Sequence, residues 1–144
     1  RLDPAVAGPG HGDSPADAVS RLCRLLRAVR LRHAATKKAV ENTRLAAGRQ
    51  RVKVVVDAPQ VHEVFVARLE PGKTALELAA WAENPQGPPP GSPVGGLTGL
   101  APGMVNYFDL DLASGRYALL CFLPDVGDGR IHIAHGMALE VDIP

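Results

Sequence analysis

Aromatic residues are scarce, one Trp, two Tyr and three Phe in 144 residues. After residue 50 there are only six Lys or Arg against eleven Asp or Glu, so this part offers neither the stacking surfaces nor the basic stripe of a nucleic-acid binder. Cysteine is limited to Cys23 and Cys121, in dissimilar segments, and no disulfide is expected. No apolar run reaches the ~20 residues of a spanning helix, which excludes such a helix from this sequence. Neither a Ser-His-Asp order nor a nucleophilic Cys-His spacing is present. The sequence opens on Arg1 rather than Met, and we expect a processed or truncated chain.

Against these absences stand 15 Gly and 13 Pro in an otherwise globular composition, which favours short strands and many turns in one domain. The net charge of +1 conceals an asymmetry, because residues 1–49 carry ten basic and four acidic side chains. Residues 1–18 have the Pro, Gly, Ala and Asp content of a solvated tail. From Ser20 onward, Leu22, Leu25, Leu26 and Val29 recur at helical spacing, and the spacing predicts a basic amphipathic helix over about 15–40, capped by Asp13 or Ser14 with Pro15 in its first turn. Such a helix docks its leucines on the rest of the domain or presents Arg21, Arg24, Arg27 and Arg30 to an acidic surface. Residues 1–44 are therefore read as a tail and basic segment, and 45–144 as the folded domain.

Beyond Gly48 the period becomes two. Val52, Val54 and Val56 alternate with Arg51 and Lys53, and His62, Val64 and Val66 with Glu63 and Phe65, as in half-buried and fully buried strands. Thr74-Ala-Leu-Glu77 is a capping box that opens a short helix over about 75–83, closed by Asn84-Pro85. Six prolines and six glycines in residues 84–103 predict a long crossing loop. Met104–Leu112, Arg116–Phe122 and Ile131–Ile143 complete five visible strands. In the second of these, Tyr117, Leu119 and Cys121 face one way and Ala118, Leu120 and Phe122 the other. A small sandwich usually has seven or eight strands, so the N-terminal segment is a place for others.

The chemistry concentrates in Cys121–Met137, where a thiol, the imidazoles of His132 and His135 and the thioether of Met137 lie in one segment. His62 stands far upstream at the edge of another apolar strand. One Cys, two His and a weak Met form the ligand list of a mononuclear blue-copper centre. Asp125 and Asp128 in the glycine loop make only a weak calcium signal, because the further oxygen ligands are missing.

From about Leu45 to the end, the Val61-His-Glu-Val strand, the Ser114-Gly-Arg-Tyr-Ala-Leu-Leu-Cys run and His132-Ile-Ala-His-Gly-Met137 resemble the cupredoxin-like bacterial proteins of the plastocyanin, pseudoazurin and rusticyanin group. The resemblance implies an all-β, cupredoxin-like Greek-key β-sandwich with one short inserted helix and a basic N-terminal segment, helical or disordered. It also implies one copper ion held by His62, Cys121, His132 and Met137, electron transfer to a redox partner protein or copper handling rather than enzymatic turnover, and a periplasmic or extracytoplasmic setting. The four residues between His132 and Met137 match the group. Ten residues separate Cys121 from His132 where the group has two to four, so His135 remains an alternative to His132. An enzyme with several coppers would need further histidine pairs, and only His11, His33 and His135 are left. The contrasting reading is a metal-free sandwich that binds other proteins through residues 84–103 and the helix before them.

Overall fold

The computed structural model describes residues 27–34 and 37–144. Alternation in sequence becomes alternation in burial along β3 (Gly48–Asp57), where Val52, Val54 and Val56 are buried and Arg51 and Asp57 exposed. Together with β1 (Arg27–Ala34), β2 (Lys37–Thr43) and β6 (Val105–Leu112), it forms a four-stranded sheet in the order β2-β1-β3-β6. The second sheet has the order β5-β4-β7-β8, from β5 (Gly91–Leu100), β4 (His62–Leu69), β7 (Gly115–Leu120) and β8 (Ala138–Ile143). Among the described residues the fold is an all-β, two-sheet sandwich with one α-helix, α1 (Ala75–Glu83).

Residues of β4 and β7 feed two apolar layers. Val64, Val66, Tyr117 and Leu119 point between the sheets, where they meet Val52, Val54, Leu110 and Leu112. Ala67, Leu69, Ala118 and Leu120 point to the opposite face, which Ala75, Leu78 and Ala79 of α1 cover. Each fully buried Leu contributes on the order of 1.5–3 kcal/mol, and burial on both faces makes this pair of strands the rigid centre of the molecule.

The capping box forms as expected. Thr74 Oγ1 accepts from the Glu77 N–H at 3.1 Å, and Glu77 Oε2 accepts from the Thr74 N–H at 2.8 Å. Glu140 on β8 accepts from the Ala75 N–H, which fastens the helix to the sheet.

Three expectations are corrected. Over 27–34 and 37–40 the predicted basic helix is replaced by β1 and the first part of β2. β1 runs parallel to β3 and antiparallel to β2, with Val29 and Leu31 buried and Arg30 exposed, so period two governs where leucine and arginine content suggested 3.6. The earlier part of that helix, with Asp13, Ser14, Pro15, Arg21 and Arg24, lies outside the described residues. The crossing loop of 84–103 contains β5, an edge strand whose register shifts twice against β4. Pro93 is accommodated because an edge strand leaves one side unpaired. Finally, β8 begins at Ala138 rather than Ile131, and His132–His135 form a 3₁₀ turn.

Among the described residues, no helix is long and apolar enough to cross a membrane.

Candidate metal centre

Antiparallel pairing explains how two distant segments meet. β4 pairs with β7 with Phe65 opposite Leu120, so the start of β4, carrying His62, lies beside the residues that follow β7. Cys121 is the first of these. Glu63 clamps the junction from both ends, its N–H donating to Cys121 Sγ at 3.4 Å and its Oε1 accepting from the Phe122 N–H at 2.7 Å.

The ten residues between Cys121 and His132 do not form a loose excursion. An isolated antiparallel bridge joins Pro124 to Ile131. Inside it the Asp125 N–H donates to the Arg130 carbonyl and the Gly129 N–H to the Asp125 carbonyl, both at 2.8 Å. The His132 N–H then donates to the Leu123 carbonyl at 2.9 Å. A small closed loop is thus pinched off, and His132 arrives next to a residue only two positions beyond Cys121. The 3₁₀ turn that follows ends at Gly136, whose φ of 93° is the left-handed conformation glycine adopts without strain. That reversal sends Met137 back to Cys121, whose N–H donates to the Met137 carbonyl at 3.2 Å.

His62, Cys121 and His132 are brought together by this arrangement. Cys121 Sγ lies 3.2 Å from His132 Nδ1 and 3.8 Å from His62 Nδ1, and the two imidazole centroids are 4.4 Å apart. One ligand atom from each of the three falls within 4.8 Å of the others. All three side chains are fully buried. Met137 is fully buried in the same apolar layer as Cys121. His135 goes elsewhere: its Nε2 is 3.1 Å from Asp128 Oδ1, and the ring is partly exposed. Of the two histidines left open by the sequence, it is His132 that stands beside the thiol.

Cys121 is a free, buried cysteine. Burial pushes its pKa up, partly offset by N–H donors from Glu63 and Leu123. Without a metal it therefore carries its proton at neutral pH, and a bound cation would displace that proton. A thiolate and two imidazole nitrogens, converging in a buried and largely apolar setting, are the donor set that suits copper. The residues present fit that ion.

Three further residues line the site, and the sequence assigns none of them to it. Gln60 stands in a strand-breaking turn and Glu63 on the face of β4 opposite His62, and only the tertiary fold shows their contacts. Asp125, a weak calcium ligand by sequence, lies with its Oδ2 3.5 Å from His132 Nε2, while Gln60 Nε2 donates to the same oxygen at 2.7 Å. Asp125 also falls within 4.8 Å of Asp128 and His135, but its Oδ1 accepts from the Gly127 N–H and Asp128 Oδ1 accepts from the Arg130 N–H, so both carboxylates serve the loop itself.

The chain has the cupredoxin-like fold. Among solved structures it is similar to sodium-dithionite-reduced auracyanin from the photosynthetic bacterium Roseiflexus castenholzii, with a TM-score of 0.59 and 18% identity over 83% of this chain and 97% of that one. It is also similar to auracyanin B, with a TM-score of 0.50 and 19% identity over 83% of this chain and 88% of that one. No family model matches the sequence, and no curated protein matches it. At these identities the likeness concerns the fold.

Proposed function

We propose that the protein binds one copper ion through His62, Cys121 and His132, with Met137 as a further, weak ligand, and that it carries electrons. The observation that carries this reading is the convergence of one buried sulfur and two Nδ1 atoms at the end of the sandwich. The dithionite-reduced state in which a structural neighbour was determined is in keeping with it. Copper held by this donor set would supply a one-electron couple.

The chain's own residues do the remaining work. Cys121 and the two imidazoles are fixed before the metal arrives, because β4, β7 and the pinched loop set their positions, so little rearrangement accompanies a change of oxidation state. The Glu63 N–H donates to the Cys121 sulfur at 3.4 Å, and the apolar layer around it keeps water from the sulfur. No acid, base or nucleophile is needed, so this is a carrier and not an enzyme. A redox partner protein and an extracytoplasmic setting complete the reading by resemblance to the family.

Titration of the metal-free protein with Cu(II) tests it. The expected result is an intense visible absorption from sulfur-to-copper charge transfer that saturates at one equivalent and is abolished by Cys121→Ser. A colourless product, or colour that survives the substitution, overturns the proposal.

A further inference from the structure

The pinched loop places a carboxylate behind the His132 ligand. Nδ1 of His132 faces Cys121 at 3.2 Å, and on the other side of the ring Nε2 faces Asp125 Oδ2 at 3.5 Å. Asp125 is held through both its side chain and its backbone. Gln60 Nε2 donates to Oδ2 at 2.7 Å, the Gly127 N–H donates to Oδ1 at 2.8 Å, and the backbone of Asp125 is bonded to Arg130 and Gly129 across the loop. Gln60 is itself aligned, since its Oε1 accepts from the Val126 N–H at 3.0 Å. Gln60, Asp125 and His132 are all buried, so the row is shielded from bulk water.

We infer that Asp125, locked by Gln60, is a positioning residue that orients His132 and strengthens it as a ligand to the oxidised metal. The inference rests on the copper reading above. A neutral imidazole that binds metal through Nδ1 carries its proton on Nε2, the atom 3.5 Å from Asp125 Oδ2. A carboxylate facing that N–H fixes the ring's tautomer and angle and pushes electron density toward Nδ1. The higher charge of Cu(II) gains more from this than Cu(I), so the carboxylate lowers the reduction potential. It also gives the extra loop residues a purpose: they reach around the imidazole and bring in the carboxylate.

The experiment compares wild type with Asp125→Asn, Gln60→Ala and Asp128→Asn. Cu(II) and Cu(I) affinities are measured by chelator competition and the potential by redox titration, with thermal unfolding of each metal-free protein as a folding check. Asp125→Asn is expected to weaken Cu(II) binding by about 10–100-fold with a smaller effect on Cu(I). The potential then rises by about 59 mV for each tenfold difference between the two. Gln60→Ala, which leaves the carboxylate but removes its lock, shifts both quantities the same way by less, and it carries the test should Asp125→Asn not fold. Asp128→Asn removes an equal charge from the same loop without touching His132 and stays near wild type. A coloured wild type whose Asp125 and Gln60 variants match Asp128→Asn overturns this inference alone. A wild type that forms no coloured complex overturns the copper reading and the inference with it.

Discussion

The N–H of His132 donates to the carbonyl of Leu123 at 2.9 Å, closing the chain on itself two residues after Cys121. Linear spacing between Cys121 and His132 is thereby uncoupled from their spatial separation, since the intervening loop is bridged at Pro124 and Ile131. The loop length that departs from the family the sequence resembles is absorbed before it reaches the site.

The joint between the helix and the sandwich has a predictable acid sensitivity. Hydrogen bonds from Lys73 and Thr74 hold the Glu77 carboxyl below its usual pKa. A group whose pKa is lowered on folding stabilises the fold above its unfolded value and loses that contribution as pH falls through the folded one. Glu77→Gln should therefore lower the melting temperature near neutral pH, and the gap to wild type should close as the pH falls through the lowered pKa of the Glu77 carboxyl. Thermal melts across pH 2–8 check this, and a gap that is constant with pH contradicts it.

Tyr117 is buried between the sheets, and its hydroxyl donates to the Ala113 carbonyl at 2.9 Å. Tyr117→Phe keeps the ring and removes the bond, at a cost of about 1 kcal/mol. Urea unfolding should show a lower midpoint with an unchanged slope.

β5 approaches β4 too closely for side chains at certain positions. A Cβ on Gly96 would lie 2.1 Å from the Val64 carbonyl oxygen, and its φ of 148° is unfavourable for other residues. Gly96→Ala is expected to detach part of this edge strand and to lower stability by more than the ~1 kcal/mol of a conformational penalty alone. Amide exchange should accelerate along β5 and leave β7 protected.

Much of the sandwich was legible in sequence wherever one rule acted alone. Val52, Val54 and Val56 alternate cleanly, the Thr74–Glu77 box starts α1, and Tyr117, Leu119 and Cys121 share a face as their spacing requires. Legibility failed where tertiary pairing outweighed local pattern. Val29 continues the helical spacing of Leu22, Leu25 and Leu26 but also alternates with Leu31 at period two, and parallel pairing with β3 decides for a strand. Pro93 and the glycines of β5 suggest a loop until the position at a sheet edge is known. In the site, ligand types could be read from the residues, but the choice of His132 over His135 depends on hydrogen bonds within 122–131, and the contacts of Gln60 with Asp125 span segments that no local pattern links.

X-ray absorption at the copper edge of the Cu(II)-loaded protein tests the central claim most directly. The account predicts one short sulfur ligand and two imidazole nitrogens at roughly 2.0–2.3 Å, with the sulfur contribution lost in Cys121→Ser and one imidazole lost in each of His62→Ala and His132→Ala, but none in His135→Ala. A shell of nitrogen and oxygen without sulfur, or one that loses an imidazole in His135→Ala and none in His132→Ala, would contradict it.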